Sequence, residues 1–191
     1  MGNDGTIASE SVTTSVDGAA VLDVLTPEER AAVLDELLAE RPLLRARAEQ
    51  AARRLLASVT VEDIAAAVSS ALTGLALEDL AARAGRVRGR GYVHETDAAW
   101  ELVHEVVDPF LADVRRREGL GLLGAAGGVA TGIVAGLYDA RDPEDGSVLA
   151  YAGPDSPCAL ADEVLREAGR LGVEIPDDAP VRWWPRWTHL D

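Results

Sequence analysis

Lysine is missing from this chain: all 18 basic residues are arginine. That excludes Schiff-base chemistry and the phosphate-gripping lysine of a P-loop. Cysteine is nearly missing too. Cys158 stands alone, so no intramolecular disulfide forms and nothing demands an oxidising compartment. Aromatic residues make up 4% of a chain that is 48% hydrophobic. The core must therefore come from Ala, Leu and Val, which favour helix packing over sheets, where aromatic and β-branched side chains dominate. Positive charge is also short, with 18 basic against 33 acidic residues and a net charge of −15. Such a field repels nucleic-acid phosphates and anionic lipid headgroups, so no nucleic-acid partner is expected. Residues 1–23 have neither the basic region nor the apolar run of a signal peptide, and the cytoplasm is the expected compartment.

What is present reads as helices. Residues 1–23, rich in Gly, Ser, Thr and Asp, read as a loosely ordered arm, 24–172 as a helical domain, and 173–191 as a Trp/Pro-rich tail. Thr26-Pro27-Glu28-Glu29 is a helix start: a hydroxyl cap, a proline in the first turn and a Glu placed for a capping box. Val33, Leu34, Leu37 and Leu38 form its stripe. Pro42 opens a second helix with Leu44, Ala48, Ala51, Leu55 and Val59 along one face, and Thr60 opens a third with Ile64, Val68, Leu72 and Leu75. Residues 25–38 and 59–72 align at an offset of about 34, the period of stacked helical hairpins, and Thr96 is a candidate start for a degraded third copy. A short helix, Leu77 to Ala84, leads into a loop around Val87 to Tyr92. The longest pattern carries Trp100, Val103, Val107, Phe110, Leu111 and Val114, with Pro109 expected to kink or restart it. After a loop over 141–156, Ser156-Pro157 starts a last helix that buries Leu160, Val164, Leu165, Ala168 and Leu171 and stops at Gly172. The expected fold is all-α, six or seven helices in antiparallel hairpins around a central helix over 119–138.

Asp79-Leu80-Ala81-Ala82-Arg83-Ala84-Gly85, Gly91-Tyr92-Val93, Ala98-Ala99-Trp100-Glu101-Leu102 and Asp108-Pro109-Phe110-Leu111 resemble the helical region of bacterial proteins that often also carry a SWIM-type zinc finger. The resemblance spans about residues 60–150. It implies a stacked-helix fold, and no zinc, because the paired Cys and Cys-x-His ligands of such a finger are not in this sequence. The Ala, Gly and Arg bias fits a GC-rich bacterial genome.

Several motifs invite a chemical reading and fail on context. Gly119-Leu120-Gly121-Leu122-Leu123-Gly124 spells the dinucleotide fingerprint, but a charged helix end, Asp113 to Glu118, stands where the fingerprint requires an apolar strand. No cofactor is expected. Gly124, Gly128, Gly132 and Gly136 recur every fourth residue in a segment without charge, making a smooth strip for close helix packing. The segment is about one membrane span long, yet its Leu, Ile and Val residues supply only about −2 to −4 kcal/mol of insertion free energy, and its glycines weaken that further. A membrane-associated protein using this strip is the alternative reading, and self-association through the strip a further one. Glu101-x-x-His104 has half of a di-metal bundle's ligand spacing without its second copy. A metal-dependent enzyme centred on Glu101 and His104 is therefore only the second alternative, and no metal site is assigned. No Ser has a nucleophile-elbow context, and Cys158 has no neighbouring His, so no catalytic residue is assigned.

What remains points to a non-enzymatic interaction or scaffold module for an unidentified protein partner. Trp183, Trp184 and Trp187 cluster in a Pro-bounded tail, and Trp and Arg are the residues that anchor interfaces. Arg86, Arg88 and Arg90, spaced by glycines, are candidate grips for an acidic segment.

Overall fold

The computed structural model describes residues 18–87, 89 and 91–175, and the chain divides into two compact units, residues 1–51 and 52–191. Among the described residues the elements are α1 (Gly18–Asp23), α2 (Pro27–Glu40), α3 (Pro42–Ala57), α4 (Val61–Thr73), α5 (Leu77–Arg83), β1 (Gly85–Val87), β2 (Gly91–Val93), α6 (Glu95–Gly119), α7 (Leu123–Asp139), α8 (Val148–Ala152) and α9 (Ser156–Arg170). The fold is all-α. Its helices outnumber the six or seven expected because α1 lies in the stretch read as an arm and α8 is a separate short turn.

Glycine decides the centre of the 52–191 unit. Helix α7 packs on α4, α6 and α9, and every residue from Val129 to Tyr138 is buried. A Cβ on Gly132 would lie 2.5 Å from Ile64 Cβ and 2.9 Å from the Val61 carbonyl oxygen; one on Gly136 would lie 2.6 Å from the Ala65 carbonyl oxygen and 2.7 Å from Val68 Cβ. The two helices are thus in backbone contact, closer than side chains on both would allow. Gly128 faces Val59 Cγ1 at 3.2 Å. Gly124 does not belong to this strip: it is exposed in the first turn, with nothing within 4 Å of a Cβ. Gly127, which the four-residue spacing skips, instead abuts the Glu174 carbonyl.

The segment 119–138 is not one helix, as its lack of charge suggested. Gly119 is the last residue of α6. Gly121 takes φ +72°, its N–H donates to Glu118 O at 2.7 Å and the Leu122 N–H donates to Arg117 O at 2.9 Å, the double bond pattern of a glycine-terminated helix. Gly172 ends α9 in the same way, with Val173 N–H donating to Ala168 O, as expected from its position.

Helix α6 runs unbroken through Pro109, where a restart was one expectation. The proline deprives the Glu105 carbonyl of its helical donor, but Glu105, Asp108 and Pro109 all face solvent, so water can satisfy that oxygen. The opposite face buries Leu102, Val103, Val107, Leu111 and Val114, with Trp100 and Phe110 half-buried at its edge. The helix is capped by His94, whose Nδ1 accepts from Thr96 N–H at 3.2 Å, so the cap falls two residues before Thr96. Helices α2 and α4 do begin 34 residues apart. The capping box is complete at Thr26 and Glu29, while Thr60 makes no side-chain cap bond. Around the stretch 87–92, read as a loop, β1 and β2 pair antiparallel, with Arg86 opposite Tyr92.

Arginines tie the helix ends. Arg117, nearly buried, donates to Asp113 Oδ2 at 2.8 Å and to the Leu56 carbonyl, and Arg53 donates to the Leu120 carbonyl at 3.3 Å. Glu167 on α9 accepts from Arg170 and, at 2.7 Å, from Arg115 on α6. Those two guanidiniums, Arg170 foremost, pull its carboxyl from the ordinary 4.5 down to about 2.

Two outcomes follow from these contacts. Gly132→Ala and Gly136→Ala each destabilise the protein by about 1–3 kcal/mol in urea titrations, because overpacking at a backbone contact outweighs helix propensity; Gly124→Ala is neutral or stabilises by up to about 1 kcal/mol. Glu167 is depressed in the folded state, so its contribution is complete above about 4.5 and is lost as pH falls through about 2. The stability gap between wild type and Glu167→Gln, measured by thermal melting, therefore stays constant at neutral pH and closes between those two values.

Candidate interaction surface

The 1–51 unit is organised by its caps. Thr26 N–H donates to Glu29 Oε2 at 2.9 Å, and Glu29 N–H donates to Thr26 Oγ1 at 3.2 Å. With Pro27 fixing the first turn, this reciprocal pair sets where α2 leaves the α1 turn. Arg30 Nη2 donates to the Asp23 carbonyl at 3.1 Å, closing the end of α1 against the start of α2. Between the two helices lies an open apolar groove of about 280 Å³, lined by Leu22, Leu25, Val33, Leu34 and Leu37 with Arg30 at its rim.

These side chains are laid out as a core and are not buried as one. Leu34 is 50% exposed and Leu37 46%. Helices α2 and α3 have no buried residue at all; the stripe expected on α3 is half-buried at Leu44 and Ala48, exposed at Ala51 and 76% exposed at Leu55, and only Val59 beyond it packs against the core. At the α2–α3 turn, Leu43 is 84% exposed beside a larger hollow of about 790 Å³. That hollow is lined by the α2–α3 turn and the first turns of α3, from Glu40 to Leu44 with Ala46 and Arg47. The sequence shows the stripe on α2 but not its exposure, because periodicity reports which residues share a face and not whether anything covers it. The available hint is the crowd of charges around the stripe: Glu28, Glu29, Arg30, Asp35, Glu36 and Glu40 leave α2 one apolar face two turns long.

The residues singled out by sequence are scattered. Trp183, Trp184, Trp187, Arg88 and Arg90 lie outside the described residues. Arg86 is exposed on β1, opposite Tyr92, itself 75% exposed. Gly128, Gly132 and Gly136 are spent inside the fold against Val59 and α4. No single helix among the described residues is long and apolar enough to cross a membrane.

Around Glu101 and His104 the acidic face is already engaged. Glu105 takes a two-point ion pair from Arg83, at 2.6 and 2.8 Å, which lowers its carboxyl below the usual range. His104 stacks near Trp100, with centroids 5.6 Å apart, and its Nδ1 stands 3.9 Å from Glu163. Among the described residues no group of three His, Cys, Asp or Glu side chains is placed to hold a metal ion. Cys158, in the first turn of α9, has a thiol pushed up by burial and then by Asp162 and Asp155. Its proton is held more tightly than in free cysteine, the reverse of nucleophilic activation.

No protein-family model, no curated protein and no solved structure matches this chain.

Proposed function

We propose that the chain is a non-enzymatic interaction module that offers the apolar α1–α2 face to another protein. The observation that supports this best is an amphipathic helix built for burial and left uncovered: α2 carries Val33, Leu34 and Leu37 at helical spacing and buries none of them. A Leu or Val side chain contributes about 1.5–3 kcal/mol when fully buried. With these three roughly half exposed, covering them holds on the order of 3 kcal/mol in reserve for association. A helix laid into an apolar groove through i, i+3 and i+4 anchors is a recurring mode of protein recognition. The tail residues Trp183, Trp184 and Trp187 suit the same kind of contact by their chemistry.

Leu34→Asp tests the reading. Used as bait in affinity capture beside wild type, the variant loses the proteins that wild type retains, while its own unfolding free energy changes by less than about 0.5 kcal/mol, as for an uncovered surface position. A loss of stability of 2 kcal/mol or more, roughly that of a core truncation, would show that the face is structural.

A further inference from the structure

We infer that the tail tryptophans dock on the chain's own fold: segment 183–187, which lies outside the described residues, covers the corner where α6 turns into α7, across Leu120 and Leu123. The inference is independent of the α1–α2 reading, because it concerns the 52–191 unit alone. Residues 119–124 carry no charge. Leu120 is 41% exposed and Leu123 47%, on either side of the Gly121 turn. Among the described residues nothing lies within 4 Å of a Cβ placed on Gly124, so the flank of Leu123 is open as well. The backbone of this corner is already held: the Leu122 N–H donates to Arg117 O, and the Leu120 carbonyl accepts from Arg53. What is left uncovered is its apolar side chains.

The place where the described chain ends names the occupant. Val173 is buried, the Glu174 carbonyl lies against Gly127, and Ile175 packs half-buried on the core. Leu123 is one helical turn before Gly127, about 6 Å along α7, and shares its side of the helix. The tail therefore departs beside the open corner. Trp183 follows Ile175 by eight positions, an extended reach of about 26 Å, which spans that distance and leaves chain for a turn. So short a tether holds the segment at an effective concentration of about 1 mM, where a contact of about 0.1 mM affinity is formed roughly nine-tenths of the time. Two half-exposed leucines fall far short of the ~800 Å² that a separate partner covers in a standard interface. They do suit one or two indole rings, which bury large apolar faces, and covering 119–124 strips water from no charged side chain.

Limited trypsin digestion of the full chain tests this, since Arg182 and Arg186 bracket Trp183 and Trp184 and cleavage tracks the undocked population. Leu123 is the first residue of α7, where an acidic side chain suits the helix N-terminus, so Leu123→Asp makes the corner polar and keeps the fold, as thermal melting checks. Cleavage after Arg182 and Arg186 is expected to run at least about fivefold faster in Leu123→Asp than in wild type, while Leu123→Met stays within about twofold of wild type. Neither rate should change with protein concentration. Wild type cleaved as fast as a free peptide of residues 176–191, or a rate indifferent to Leu123→Asp, overturns the assignment. Protection that falls on dilution also overturns it, by placing the tryptophans on a second copy. A measurement that needs no variant is the set of nuclear Overhauser contacts in wild type: the Leu120 or Leu123 methyls should show them to at least one tail indole, and none from any of the three indoles sinks the proposal.

Discussion

The contact between α7 and α4 across Gly132 and Gly136 is the constraint on which the 52–191 unit depends. Only glycine lets the Val61 and Ala65 carbonyls and the Ile64 and Val68 side chains come so near another backbone. Once that approach is made, α7 becomes a post buried on nearly all sides, and α6 and α9 close on its remaining faces. A chain so poor in aromatics cannot fill wide gaps between helices with large rings. It fills them by narrowing the gaps, and dispersion between closely packed small groups replaces the area that Phe or Trp would bury. The arginine ties at Leu56, Leu120 and Glu167 then fix the helix ends around the post.

The 1–51 unit has the opposite construction. Its caps and backbone bonds are in order, but its apolar stripe meets Leu22 and Leu25 across an open groove and is left about half exposed. Caps stabilise a helix by about 1 kcal/mol each, far less than tertiary burial supplies, and an amphipathic helix in water draws most of its stability from a covered face.

Much of the fold was legible in the residues. Thr26 with Glu29, Pro42, Ser156-Pro157 and Gly172 mark helix ends through local hydrogen bonding, which depends on a few neighbours and so can be read from them. The stripe Val103, Val107, Leu111 and Val114 and the packing role of Gly132 and Gly136 were legible for the same reason. Gly121 was harder to read, since the break it makes in an uncharged run depends on a left-handed backbone that any of the seven glycines from 119 to 138 could adopt. The hairpin at Gly85–Val93 is only three residues per strand and carries too little alternation to register. The site was the least legible part. Exposure of Leu34, Leu37, Leu43 and Leu55 is a property of what surrounds them, while Trp183, Trp184 and Trp187 lie outside the described residues and Gly128, Gly132 and Gly136 are packed inside the fold.

Amide hydrogen exchange resolved by residue in dilute protein tests most directly whether the stability is carried by the glycine-packed unit and not by α2. Amides of α4 and α7 should exchange only through global unfolding. Those of α2 should exchange through local opening. Protection of α2 equal to that of α7 in dilute protein would contradict the account, because its apolar face would then already be covered within a single chain.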